Sequence, residues 1–216
     1  MPKFKMVMFD LDGTLLDSFS FHAKSLQRFL RSFDVRISQE KVGGMIGDTL
    51  KSILSSTMPQ KKHAEALKKL ADFYRYEADD LIEELRFIAG AEETVLRAKE
   101  KTEYTALLTN SKKELVYKII EIKQWDGMFD MVKAADDHSL GKVRRCMDIL
   151  DAFSLKPQDV LYVGDSVYDI VLAKDIGMYG CLVLNDISWI HKQDWDPNEI
   201  QADFTVSQIT EVLDLL

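Results

Sequence analysis

Two aspartates, Asp10 and Asp12, stand two residues apart where the apolar run 4–9 ends, and Gly13 follows directly. If strand geometry persists through Asp12, both carboxylates point the same way, because successive side chains alternate between the faces of a strand. Two anions held close repel, so they need a cation or a shared proton between them. Mg2+ suits such a pair, since it takes hard oxygen ligands and binds through one or two carboxylates together with phosphate. A calcium loop of the EF-hand kind is excluded: counted from Asp10 it requires Gly at the sixth position and Glu at the twelfth, where the chain has Leu15 and Phe21. A plain Asp-Gly turn after a buried strand is the competing reading.

Three further signals follow in order. Thr109 and Asn110 close a second apolar run, where a hydroxyl and free backbone N–H groups at a helix start favour anions, phosphate above all. Lys142, after Gly141, opens another expected helix; taken singly it reads as a solvated lysine. Asp165 comes after the apolar run 160–163 and Gly164, with Asp169 four residues on, on the same face of the next helical turn. Asp165 completes a three-carboxylate site with Asp10 and Asp12, although Asp and Ser at this place also make an ordinary helix N-cap. Each signal alone is modest. Their joint occurrence, each at an expected strand end or helix start, is not.

The elements that must position these groups can be read from periodicity. Residues 4–9 form a buried strand. From 17 to 87 the texture is helical: Leu26, Phe29, Leu30 and Phe33 follow helical spacing, and Leu67, Leu70, Ala71, Tyr74, Ala78, Leu81 and Leu85 extend a second stripe from near Pro59. After Gly90 helices and strands alternate. Helices are expected near 91–101, from Ser111 (which with Glu114 has capping-box spacing), near 142–153 and up to Ile176. Strands are expected near 104–109, 129–132, 160–163 and 181–184. Residues 202–216 read as a short strand and a closing helix capped by Ser207. Such alternation argues for an α/β fold, a parallel sheet with helices on both faces. In an open parallel sheet the ligand crevice lies at the carboxyl ends of the strands. The helical stretch has no place in the alternation and reads as an insertion, 17–87, into a core made of 1–16 and 88–216.

Composition narrows the function. The 216 residues carry 28 Lys and Arg against 36 Asp and Glu, a net charge of −8 with no basic stretch, which excludes the electrostatic footprint of a nucleic-acid binder. With 46% hydrophobic residues, 10 Gly and 4 Pro, disorder and low complexity are excluded as well. Two cysteines, Cys146 and Cys181, without a Cys/His cluster, point to neither a disulfide scaffold nor a zinc site. No apolar run reaches signal-peptide length or the ~20 residues that cross a bilayer, so no membrane partner and a reduced, cytoplasmic setting are the default expectations.

Taken together, Asp10-x-Asp12-Gly13-Thr14, Thr109-Asn110, Lys142 and Gly164-Asp165-x-x-x-Asp169 resemble the four motifs of the haloacid dehalogenase superfamily, near its phosphoglycolate phosphatase and β-phosphoglucomutase-like branch. The resemblance covers nearly the whole chain, including residues 46–50 and, near the end, Ala202 and Asp203. It implies a Rossmann-like core with the insertion as a helical cap, Mg2+ as cofactor and a small phosphorylated metabolite as substrate. It implies Asp10 as the nucleophile that forms an aspartyl-phosphate, and Asp12 as general acid and base whose main-chain carbonyl also helps bind Mg2+. Thr109 and the Asn110 amide would hold phosphoryl oxygens, and Lys142 would neutralise nucleophile and phosphate. Asp165 would ligate Mg2+, with Asp169 supporting it. Elementary chemistry agrees: an aspartate whose pKa is ordinarily ~3.9 is ionised at neutral pH and attacks without a base.

The resemblance ranks a phosphatase first and a sugar-phosphate mutase second, because such mutases resemble Asp-Gly-Val where this chain has Thr14. A dehalogenase is disfavoured, since those relatives replace the carboxylate that Asp12 retains. A receiver-type phosphoacceptor domain has its lysine after every acidic residue, whereas Lys142 precedes Asp165. His22 stands where mutase-type relatives often place a histidine that shuttles hydroxyl protons; a packed or surface helix histidine is the other reading. Lys24, Arg28 and Lys51 could meet an anionic substrate tail or simply be solvated helix charges. Many relatives carry Pro after the motif lysine, where this chain has Val143, and segment 186–199, with Trp189 and Trp195, is longer than expected. The oligomeric state is left open by the sequence.

Overall fold

In the computed structural model, which describes residues 4–45, 50–136, 141–192, 196 and 201–216, the run that ends at Asp10 becomes a central strand. In chain order, β1 (Met6–Phe9) and the two-residue β2 (Leu16–Asp17) precede the helices α1 (Phe19–Arg31), α2 (Gln39–Gly43), α3 (Leu50–Thr57), α4 (His63–Tyr76) and α5 (Asp79–Glu84). After β3 (Arg86–Phe87) come α6 (Ala91–Lys101), β4 (Tyr104–Lys112), α7 (Lys113–Lys123), β5 (Met131–Ala135) and α8 (Gly141–Phe153). The chain finishes with β6 (Val160–Gly164), α9 (Val167–Ile176), β7 (Tyr179–Val183) and β8 (Phe204–Val206).

Six strands form one sheet in the order β5-β4-β1-β6-β7-β8, every pair parallel. Crossover helices cover both faces, so the two central strands are buried throughout: every residue of β1 and β6 is. Met6, Met8, Ala106, Leu108, Val160 and Tyr162 alternate onto one face, against Cys146, Ile149 and Leu150 of α8 and Leu172 and Ala173 of α9. The order places β1 between β4 and β6, so Asp10, Thr109 and Asp165 arrive side by side at the carboxyl edge. This is the expected Rossmann-like α/β architecture. No described helix is long and apolar enough to cross a membrane.

The chain folds as two compact units. The first is Met1–Asp17, Arg86–Lys113 and Trp125–Leu216; the second is Ser18–Leu85 with Glu114–Gln124. Within the first, β2 and β3 pair antiparallel where the chain leaves and returns. The second holds α1 to α5 and nearly all of α7, a helix that alternation alone would have assigned to the sheet. Charge explains its company: Glu114 accepts from Arg75 at 3.0 Å, Lys118 meets Asp79 at 3.3 Å, and Lys123 donates to the carbonyls of Glu83 and Leu85 at 3.0 and 2.9 Å.

Three local expectations are corrected. The second helical stripe is not one helix: α4 ends at Tyr76 and α5 starts at Asp79, where Asp79 and Asp80 give the new N-terminus the negative charge its dipole favours. The buried face of α4 is Ala66, Leu70 and Phe73, with Phe73 edge-on to Phe29 at 5.6 Å, while Leu67 is exposed. The final segment 209–215 winds as a 3-10 helix, and Ser207 bonds Glu211 while Gln208 occupies the cap position. Residues 46–49, the bulk of the expected motif in the insertion, lie outside the described residues, as does Trp195. Asp203 accepts the Gly180 amide at 2.8 Å and serves the sheet.

Candidate active site

Strand pairing continues one residue past β1, because the Asp10 amide donates to the Val163 carbonyl at 2.9 Å. The chain then reverses: Leu15 and Leu16 donate to the Leu11 carbonyl at 2.9 and 3.0 Å, and Gly13 donates to the Leu16 carbonyl at 2.9 Å. Gly13 has φ +77°, and a Cβ there would run into the Asp165 carboxylate and lie 2.6 Å from Trp189 Cδ1. Glycine at this turn therefore answers both a backbone and a space requirement.

The strand ends and α8 bring the expected groups together. Lys142 Nζ donates to Asp10 Oδ1 at 2.7 Å and to Asp169 Oδ1 at 2.8 Å. Its side chain is only 12% exposed, and the amine also lies 5.5 Å from the centre of the Tyr162 ring. The missing proline at Val143 thus leaves the amine held on three sides, and Val143 itself sits half exposed within α8. Asp169 accepts from Tyr162 Oη at 3.0 Å and from Ser166 N and Oγ at 3.1 and 2.6 Å. Ser166, not Asp165, is the N-cap of α9, with Asp169 completing a capping box, so the capping and site readings both hold here.

Asp165 is gripped from two directions. Thr14 Oγ1 donates to its Oδ1 at 3.1 Å and the Trp189 amide to its Oδ2 at 2.6 Å, while the Ile190 amide takes its carbonyl at 3.1 Å. Residues 186–192 of the unassigned segment after β7 therefore have a position: they strap the Asp165 turn. Ser188 Oγ anchors the strap to the Val183 carbonyl at 2.8 Å. Asp12 Oδ2 accepts a hydrogen bond from Ser111 Oγ. That is the serine whose spacing reads as a helix cap; β4 instead runs through Lys112, and the hydroxyl is turned to Asp12. Thr109 Oγ1 accepts the Ser111 amide at 3.0 Å.

Electrostatics follow from burial. Desolvation, together with repulsion from Asp169 and Asp12, pushes the Asp10 carboxyl well above its ordinary range, against the pull of Lys142. Burial, then Asp169, lifts Asp165 to about 7 despite the Trp189 and Thr14 donors. For Asp169 burial acts upward too, but Lys142 and the Ser166 and Tyr162 donors hold it below the usual value. Burial alone would lower the Lys142 ammonium, and the two carboxylates raise it instead. Carboxylate oxygens of Asp10, Asp165 and Asp169 lie within 4.8 Å of one another. An all-oxygen, buried, anionic donor set of this kind fits a hard divalent cation, which would remove the repulsion that now favours protons. Asp12 stands outside that trio by its side chain.

His22 lies on α1 in the second unit, edge-on to Phe21 at 5.2 Å, and is not among the groups the sheet assembles. Lys24 pairs with Glu84 at 2.6 Å, and Arg28 forks onto Asp80 at 2.7 Å through both terminal nitrogens. Two site residues had escaped sequence reasoning. Tyr162 is hidden in a strand, where its alternation with Met6 and Met8 faces α8. Arg145 stands in the buried stripe Arg145, Cys146, Ile149 and Leu150, where a charge inside an apolar pattern was the available signal. Both cysteines are free and buried, and burial pushes each thiol up to about 12, which leaves them unreactive.

A family model described as haloacid dehalogenase-like hydrolase matches residues 7–183. A pyrophosphatase PpaX from Bacillus cereus is 26% identical over 216 residues, covering 97% of this chain and 95% of the relative. Among solved structures, a haloacid dehalogenase-like family hydrolase from Streptococcus pneumoniae superposes with TM-score 0.80 at 18% identity, covering 99% of each chain. A predicted phosphoglycolate phosphatase from Haemophilus somnus superposes with TM-score 0.78 at 20% identity over 100% of this chain and 99% of its own. The strand-end carboxylates, the lysine that joins two of them and the match over most of the length converge: the chain belongs to the haloacid dehalogenase-like hydrolases.

Proposed function

We propose that the chain is a Mg2+-dependent phosphatase of a small phosphorylated metabolite that works through an aspartyl-phosphate on Asp10. The observation that carries this reading is Lys142, whose amine joins Asp10 to Asp169 beside the three-carboxylate cluster. Asp10 attacks phosphorus as the bond to the leaving oxygen breaks, and Asp12, arriving protonated, gives that oxygen its proton. Asp12 then takes a proton from water as the water attacks the aspartyl-phosphate, releasing inorganic phosphate and restoring the Asp10 carboxylate. Ser111 fixes the Asp12 carboxyl, and Lys142 neutralises charge on the transferring group. Thr109 and the Asn110 amide offer hydroxyl and N–H donors for the phosphoryl oxygens. Asp10, Asp165 and the Asp12 main-chain carbonyl would hold Mg2+, which would supply charge neutralisation when bound. The second unit is the part of the chain that selects among leaving groups.

Phosphate release across a panel of phosphoglycolate, sugar phosphates and pyrophosphate tests the reading, with pyrophosphate included because the Bacillus cereus relative bears that name. Asp10→Asn should abolish release, and chelation should stop it, with the circular dichroism spectrum unchanged. Turnover surviving Asp10→Asn refutes the nucleophile, and turnover in chelator refutes the metal. Conversion of β-glucose 1-phosphate to its isomer without released phosphate would put the mutase first.

A further inference from the structure

Arg145 is a charged side chain only 6% exposed, placed where an aliphatic residue would continue the apolar stripe of α8. Its Nη2 donates to the Thr109 carbonyl at 3.1 Å and to Asn110 Oδ1 at 2.7 Å. It stands three positions after Lys142, so one turn of α8 delivers both cations, Lys142 to the carboxylates and Arg145 to the end of β4. A guanidinium has five N–H donors and no acceptor, so only the oxygen of the Asn110 amide can face it. The other end of that amide, the NH2 group, must then be turned away from Arg145, and Asn110 itself is exposed. The resemblance assigns an Asn110 amide to the phosphoryl oxygens and gives no role to Arg145; the contact that orients the Asn110 side chain is a separate feature of this chain.

We propose that Arg145 is a positioning residue for phosphate binding, which locks the Thr109–Asn110 corner and presents the Asn110 side-chain NH2 as a further donor to the phosphoryl group. The inference rests on the phosphatase reading. It explains why a buried charge is kept at a position that packing alone would fill better with an apolar group, since burying an arginine is costly without such bonds.

Wild type, Arg145→Lys, Arg145→Met, Asn110→Ala and the Asn110→Ala/Arg145→Met double variant are compared with p-nitrophenyl phosphate as substrate and inorganic phosphate as inhibitor. Arg145→Met should raise KM and the phosphate inhibition constant about tenfold while kcat changes less than about threefold, and Arg145→Lys should recover part of the loss. On the Asn110→Ala background the same change should add at most about threefold, because the two act as one unit. In 15N spectra of wild type, inorganic phosphate should shift the Asn110 side-chain amide resonances. An Arg145→Met enzyme with lowered Tm but unchanged KM and inhibition constant overturns the proposal and leaves a purely structural arginine. If Arg145→Met does not fold, Arg145→Lys and the Asn110 resonances decide: an Asn110 amide unmoved by saturating phosphate overturns it. A wild type that neither turns over any phosphate ester nor binds phosphate refutes the phosphatase reading itself, a result distinct from a working wild type matched by its variants.

Discussion

Replacing Lys142 by Met isolates the electrostatics of the site. The amine sits 2.7 Å from Asp10 and 2.8 Å from Asp169, and the three side chains are 12%, 11% and 1% exposed. At an effective dielectric of about 20, each contact attracts by about 6 kcal/mol before solvation is considered. Desolvation of three ions consumes most of that, and removing one partner of a buried pair costs about 3–5 kcal/mol because a carboxylate is left uncompensated. The protein relaxes by protonation: with the cation gone the Asp10–Asp169 pair keeps a proton, since Asp10 is already pushed up by burial and by Asp169 and Asp12, and Asp169 loses the amine that holds it down. A carboxyl whose folded pKa exceeds its unfolded value stabilises the fold fully at low pH and loses that contribution as pH rises toward the folded pKa. Wild-type Asp10 is raised as well, so the variant's deficit grows, by about 1.4 kcal/mol per pH unit, only where the variant still holds the proton and wild type has lost it; between about pH 5 and about pH 8 it should be larger at the higher value. Urea unfolding of both proteins at those two pH values, in chelator so that no cation substitutes for the amine, measures the difference directly. A deficit that is the same at both pH values, or none at all, refutes the argument that Lys142 compensates buried carboxylates. Loss of activity without the pH-dependent deficit would leave Lys142 a binding group and nothing more.

Gly13→Ala should lower stability by about 1–3 kcal/mol, from the left-handed φ of +77° and the collision of its Cβ with the Asp165 carboxylate, and should cost phosphatase activity through displacement of Asp165. Thermal unfolding and phosphate release check it, and an unchanged variant would show that the turn adapts freely. Asp130→Asn tests a structural carboxylate away from the site. Its Oδ2 accepts the Thr105 amide at 2.8 Å and its Oδ1 accepts Lys99 at 2.9 Å; burial acts upward, but these donors hold the carboxyl below the usual range. A lowered folded pKa contributes stability that is present above the unfolded value and lost as pH falls through the folded one. Urea unfolding should show the variant about 1–2 kcal/mol weaker near pH 7 and converging on wild type below about pH 4. A gap constant over that range would contradict the assignment.

How much of this was legible in the sequence depends on whether the deciding interaction is local. Asp10, Asp165 and Thr109 could be placed because each ends an apolar run, and a parallel sheet gathers strand ends wherever the strands fall in the order. Ser111 was misread for a physical reason: a serine three residues before a glutamate has cap spacing, and nothing local reveals that Asp12, ninety-nine residues away in sequence, competes for the hydroxyl. The stripe from Leu67 to Leu85 has the right period for one helix, yet α4 ends before Asp79, where Arg28 of α1 bonds the Glu77 carbonyl and Asp80, contacts that the period of the stripe does not show. The strap grips Asp165 through the backbone amides of Trp189 and Ile190, and main-chain donors leave no trace in residue type.

Charge is where sequence and site differ most. A net −8 gives the chain no general attraction for a phosphate, and Asp10, Asp12, Asp165 and Asp169 concentrate further negative charge at the strand ends. An anionic substrate therefore depends on charges placed within a few ångströms. Among the described side chains bonded to the site residues, two cations meet that need, and both come from the first turns of α8: Lys142, on Asp10 and Asp169, and Arg145, on the Thr109–Asn110 corner. Because Cys146, Ile149 and Leu150 seat the same helix on the sheet, the apolar packing of α8 fixes where both charges stand. The electrostatics of the site is in this sense a consequence of core packing, and a shift of α8 would misplace both cations at once.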